Sequence, residues 1–318
     1  MTTAIAPLDW RRVARAAPGP VVIICALAMM VGSYLWLPAG GLDWRHDIAP
    51  AARSWFSAPW LKGLPLLPWA GLLLSPLGAL PDRIATALVN GVSVIALGLV
   101  VRAMGGRDWM AIPLLASPFG YYMFGNGQTD CLVLAGLLLT NGLDLLVLIL
   151  KPQVAFAVVV SRVRRAGPRW PVYLAPLAVV LALSLVVWPG WPWGLAAYAP
   201  VLLPGWWNWS IWPWGLPVAA FLLWRAWRTR DDRLGVAATP LLSPYLTAPS
   251  YLGLLAALAA WRPQVVWAAW LLFWAAAGWY AIATWGSLTA AMIYAVAVAL
   301  LGSLAAVWYW RRQRQKVT

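Results

Sequence analysis

Apolar runs of about 20 residues, each long enough to cross a hydrocarbon core of about 30 Å, recur along the chain between short polar turns. They and shorter apolar runs predict spans at 19–38, 84–103, 108–124, 171–189, 214–228, 234–245, 249–261, 264–284 and 287–310. Residues 39–63, "AGGLDWRHDIAPAARSWFSAPWLKG", form the most polar long stretch and read as a first outer loop. The following "LPLLPWAGLLLSPLGALPDR", 64–83, is hydrophobic but broken by Pro65, Pro68, Pro76 and Pro81. Prolines this dense predict short helices lying at or dipping into the interface rather than one regular span.

The segment 129–161 fits two arrangements. Either 129–150 is a single crossing that leaves Lys151 cytoplasmic, or the chain makes three short, broken crossings that leave Lys151 outside. Ten helical residues rise only about 15 Å, so the second arrangement needs a thinned or protein-lined site. Periodicity does not separate the two.

Composition places the whole chain in the bilayer. Hydrophobic residues make up 63% of the 318, and charged residues only 10%, against about 25% in a soluble domain. The expected fold is all-α, a polytopic transmembrane bundle of about 10–12 spans with short interfacial helices in the first outer loop. It forms one integral membrane domain over 1–318: the first outer loop at 39–83, core spans at 84–260, and C-terminal helices at 261–318.

The net charge of +14 adds orientation rather than a nucleic-acid partner. Lys and Arg concentrate in cytoplasmic loops, and no basic face interleaved with stacking aromatics is evident. With Lys151 outside, eighteen of the 23 basic residues face the cytoplasm. Arg45, Arg53, Lys62, Arg83 and Lys151 remain for the outer side. Both termini are then cytoplasmic in a multi-pass cell (inner) membrane protein. "RRVARAAPGPVVIICALAMMVGSYLWLP" has a basic start but an apolar run of spanning length, which predicts a retained first helix. Cys25 and Cys131 lie in apolar segments without metal-ligand spacing.

Acid–base chemistry has few candidates. All nine acids are Asp, and His46 is the sole histidine. Asp43 and Asp47 flank His46, four apart, and share one face if the loop is helical. Burial beside a pocket raises such a carboxylate's pKa and Arg45 or Arg53 lowers it, which suits a general base. An ordinary solvated loop explains the same spacing, and one His with two Asp makes only a partial metal site.

The turn "GNGQTD" brings Asn126, Gln128 and Asp130 to the outer end of an apolar segment. A helix cap from Thr129 or Asp130 explains part of that turn. Lys151 stands at a Lys-Pro break, either as a snorkelling interfacial lysine or as a phosphate contact. Tyr245 follows in Ser-Pro-Tyr, where packing and ligand contact are both open.

Five segments in order, "DWRHDIAPAARSWFSAPW", "LPLLPWAGLLLSPLGALP", "GNGQTDCLVLAGLLL", "LLVLILKPQVAFAVV" and "SPYLTAPSYLGLLAAL", together resemble glycosyltransferase family 87. These are polyprenyl-phosphate-mannose-dependent enzymes of the GT-C superfamily. The shared features are an acid before a small-residue pair, a Gly-Gln turn, a Lys-Pro after an apolar helix, and a late Ser-Pro-Tyr. The resemblance covers residues 40–260.

It implies transfer of a hexose, mannose in the family, from a polyprenyl-phosphate donor to a lipid or glycan acceptor on the extracytoplasmic side, with inversion. By spacing to Ala51-Ala52 the catalytic acid matches Asp43, with Asp47 second. Gly127-Gln128 and Lys151-Pro152 match the other motifs, with Lys151 outside near the donor phosphate. His46, Arg53, Lys62, Asn126, Gln128, Asp130, Lys151 and Tyr245 are then candidate substrate contacts. No cofactor is implied beyond the lipid-phosphate sugar, and a divalent ion stays open.

Two features depart from the family. The segment from the Gly-Gln turn to Lys-Pro is compressed to 129–150, and Thr247, Ala248, Pro249 and Ser250 stand where many members carry Asp or His. Two other functions fit the same outer pocket: a transporter or flippase for a lipid-linked sugar, and a non-catalytic relative of the family.

Overall fold

A computed structural model describes residues 18–37, 39–57, 67–202 and 208–261, with isolated positions between 267 and 275. Among the described residues the fold is all-α, with no strand. The predicted span 287–310, all but isolated positions of 264–284, and the candidate Lys62 lie outside the described residues.

Two helices form the frame. Pro20–Trp36 (α1) begins with Pro at its first turn, where a missing N–H costs nothing. Asp82–Ala103 (α4, the fourth helix in chain order) has Asp82 in its first turn and Arg102 in its last, which complements the helix dipole. The two pack along their length because α4 turns small residues toward α1. A Cβ at Gly91 would meet Met30, and one at Gly98 would meet Val22. Small residues at these positions let the two helix backbones approach closely.

Between α1 and α4 the first loop folds as a π-helical turn, Trp44–Ile48, running into Ala49–Arg53 (α2). Trp44, Ile48 and Ala49 of this segment are buried against Ala85 and Val89 of α4. Pro68–Gly78 (α3) covers α2, in keeping with the short helices expected of the Pro-broken stretch.

Prolines and glycines cut the middle of the chain into pieces. The expected span 108–124 is split into Ala111–Leu115 (α5) and Pro118–Asn126 (α6). The stretch 129–161 comprises Asp130–Ala135 (α7), a tight turn with left-handed Asn141 and Gly142, Leu143–Leu148 (α8), a break at Lys151, and Pro152–Ala155 (α9). Val159–Ala166 (α10) follows. The structure therefore breaks this stretch into short pieces in place of one continuous helix, with α7 and α8 as the arms of a short hairpin.

Trp170–Val187 (α11), Trp191–Leu202 (α12), Leu216–Thr229 (α13), Asp232–Leu242 (α14) and Leu252–Trp261 (α15) complete the described chain. One large buried cluster joins α1, α4, α6, α7, α14 and α15 through Leu97, Met123, Leu134, Val236 and Leu252.

Among the described residues, two helical stretches are long and apolar enough to cross a membrane, Asp82–Ala103 and Pro152–Val187. The apolar window of the first is 72% buried and that of the second 11%. The segments expected at 19–38, 214–228, 234–245 and 249–261 form helices of 17, 14, 11 and 10 residues, and that at 108–124 is split just before Pro118. Large apolar side chains nevertheless face outward along α1, including Ile24, Leu27 and Val31, and along α11, including Val172, Leu183 and Val186.

Candidate functional site

The site is assembled at the mouth of the 130–151 hairpin by two glycines and a pre-proline break. Helix α6 ends at Gly127 with φ of +67°, a left-handed conformation that favours glycine. The Gln128 amide then closes onto the Met123 carbonyl at 3.0 Å and sets the start of the turn. Gly41 of the first loop lies against this turn so closely that a Cβ would sit 2.5 Å from Asn126 and Gly127 backbone atoms. That approach carries Asp43 to Gln128, whose side-chain amide donates to an Asp43 carboxylate oxygen. At the other arm of the hairpin, Pro152 forces Lys151 out of helical geometry, and its side chain turns back to the same place.

Lys151 Nζ donates to Gln128 Oε1 at 2.8 Å, to Asp130 Oδ2 at 2.6 Å and, more loosely, to Thr247 Oγ1 at 3.4 Å. Asp130 is fully buried, and its second oxygen accepts from the Ser250 hydroxyl at 2.7 Å. Ser250 and Thr247 hydroxyls lie 3.3 Å apart. Gln128 thus bridges Asp43 to Lys151, and Lys151 bridges Gln128 to Asp130. Four segments distant in sequence, around 43, 128–130, 151 and 247–250, form one hydrogen-bonded network.

The electrostatics are uneven. Burial pushes the Asp43 carboxyl above the ordinary aspartate range, and Asp47 and Asp130 add to this, while Lys151 and the Gln128 hydrogen bond pull it back. Asp47 is also raised, again by burial, with His46 opposing. Tyr245 is pushed up to about 12, first by burial and then by Tyr122, Asp43 and Asp130, which places its hydroxyl in the field of the same acids. Arg53, one of the arginines expected to hold Asp43 down, is engaged elsewhere. Arg53 Nε donates to the Gly78 carbonyl at 2.7 Å, and its guanidinium pairs with Asp82 at 2.5 Å. This pairing secures α2 and α3 to the start of α4.

Other candidates stand apart from the network. His46 is exposed and contacts Arg45 at 2.9 Å. Asn126 returns its side-chain amide to the Tyr122 carbonyl at 3.0 Å, a helix-end bond. Thr247 and Ser250 join the network without a sequence pattern that marks them, since hydroxyls in a Pro-containing turn look like turn residues. Their one signal was position, directly where the family resemblance expects a charged group. Among the described residues no three metal-ligating side chains gather.

Chemically, the network presents a carboxylate that resists ionisation, a lysine with one weak contact to give up, and hydroxyl and amide groups to orient a polar ligand. Lys151 retains 15% side-chain exposure, so its side chain is not fully sealed from the surroundings. Compared with protein-family models, with curated proteins and with solved structures, the chain matches none.

Proposed function

We propose that the chain is a membrane-embedded inverting glycosyltransferase. It moves a hexose from a polyprenyl-phosphate donor to a lipid or glycan acceptor on the extracytoplasmic side, through a polytopic helical bundle. The observation that carries this reading is the Asp43–Gln128–Lys151–Asp130 network, which sets a hindered carboxylate one side chain away from a cation. Outward-facing apolar side chains on α1 and α11 support the membrane setting, since soluble monomers rarely expose such continuous patches.

In this scheme the donor phosphate takes the place of the loose Thr247 contact at Lys151, where the ammonium offsets charge as the phosphate leaves. Asp43, ionised, accepts the proton of the acceptor hydroxyl as its oxygen attacks the anomeric carbon. The new C–O bond forms as the bond to the phosphate oxygen breaks, and the lipid monophosphate departs with the electron pair. Asp130, held by Lys151 and Ser250, fixes the lysine.

The test is hexose transfer from a polyprenyl-phosphate donor by purified Asp43→Asn and Asp47→Asn variants. Loss of a positioned base lowers the rate about 10²–10⁴-fold. We expect that loss in the first variant, with helical content unchanged. Full activity in both removes the proposed base. Movement of the lipid-linked sugar across proteoliposomes, with no new glycosidic bond, would favour the transporter. A non-catalytic relative predicts that alanine at 43, 47 and 130 changes only stability.

A further inference from the structure

We propose that the end of the molecule opposite the candidate site carries a binding surface for the phosphate headgroups of anionic phospholipids, centred on Arg164, Trp224, Trp227 and Arg228. It rests on the membrane setting proposed above and not on the transferase chemistry.

Helices α10 and α13 pack against each other, and across that contact the Arg164 guanidinium lies over the Trp227 ring at 5.3 Å. One turn away, Arg228 lies over Trp224 at 5.9 Å. Spacings of three and four residues put both indoles on one face of α13. An arginine stacked on an indole keeps its planar fork of N–H donors at its edges, the geometry that grips a phosphate bidentately.

Outside the buried ion-pair cluster, the surface at this end carries an excess of positive charge. The acids there are already taken up: Asp144 by Arg162, Asp232 by Arg162 and Arg165, and Asp231 by Arg233. Arg164 and Arg228 have no carboxylate partner among the described residues, and both are exposed.

The surroundings favour a lipid over a free anion. Trp224 and Trp227 are about half exposed, and such amphipathic rings settle at headgroup level. Next to Arg169, the outward apolar face of α11 begins at Trp170 and Val172. A phosphate held here would have its acyl chains beside that face.

The full chain reconstituted in nanodiscs of phosphatidylcholine, alone or mixed with phosphatidylglycerol, tests this by native mass spectrometry of the lipids retained on release. The wild type should retain phosphatidylglycerol preferentially. The R164Q/R228Q pair should lower that preference about 25-fold, given the usual attraction per basic residue near an anionic surface. R164K/R228K keeps the charges but not the fork and should fall between. Incorporation without preference, or an unchanged R164Q/R228Q variant, overturns the proposal. Equal displacement by inorganic phosphate or by an RNA oligonucleotide also overturns it, in favour of a free-anion or nucleic-acid site. Failure of the chain to enter either disc overturns the membrane setting and this proposal together.

Discussion

At the mouth of the 130–151 hairpin one lysine faces two carboxylates, Asp130 and Asp43; at its tip two arginines face two, Asp144 and Asp232. The tip is balanced and multiply tied. Arg162 donates to Asp144 at 2.5 Å, to Asp232 at 3.1 Å, and to the Leu137 and Leu139 carbonyls at 2.8 and 3.2 Å. Tyr173 and Ser161 hydroxyls add bonds to the same acids, each at 2.5 Å. The mouth has one charge too many, spread over hydroxyls and an amide. Buried charge that is matched holds a structure in place, whereas unmatched charge leaves a group ready to change its protonation. The two ends also respond oppositely to acid. Burial pushes Asp232 up, but Arg162, Arg165 and Ser161 more than offset it and hold the carboxyl below the ordinary range. Burial wins at Asp43.

The largest effect should come from breaking the balanced end. Arg162→Met leaves Asp144 and Asp232 without their main partner and should cost about 3–5 kcal/mol, read as a fall in thermal stability in detergent. Next is the mouth. Lys151→Met strands the buried Asp130 and should cost about 3 kcal/mol. Adding Asp130→Asn in that background should restore most of the stability and none of the transfer activity, separating the lysine's structural part from its chemical one. If the tip variant is tolerated as well as this double variant, the contrast between the ends fails.

A pH titration sharpens the contrast. Asp43 acts as a base only when ionised, so transfer should rise with pH through a midpoint above the ordinary aspartate value of about 3.9. Its stability contribution runs the other way, present below that value and lost as pH rises through the raised folded pKa. Asp232, being depressed, stabilises above about 3.9 and loses that contribution as pH falls through its lower folded value. Lys151→Arg retains the charge and should leave the activity midpoint near that of the wild type, which distinguishes charge from shape at that position. The smallest effects belong to the hydroxyls. Ser250→Ala, removing a bond to a buried carboxylate, should cost about 1–2 kcal/mol, and Thr247→Ala, losing only a long contact, under about 1 kcal/mol. Both are readable by chemical denaturation.

Much of the mouth was legible beforehand because it breaks the chain's own pattern. Asp130 at the start of an apolar run and Lys151 before a proline are expensive in a greasy sequence, and expensive groups seek each other. The same logic applied to Asp144 and Arg162 points to the tip, but in sequence the arginines there serve equally as orientation signals. Arg53 is tied by Asp82 and the Gly78 carbonyl, 29 and 25 residues on, a pairing that no local pattern marks. The π-turn at Trp44–Ile48 follows from packing on α4, which no local propensity encodes.

The hairpin's brevity has a final consequence. From Asp130 to the Leu138 turn is nine residues, a rise of about 13 Å, less than half the usual insulating layer of about 30 Å. In the membrane setting proposed above, the charged networks at the hairpin's mouth and tip would be separated by far less than that layer, so protein packed around the hairpin, and not lipid, would have to keep them apart.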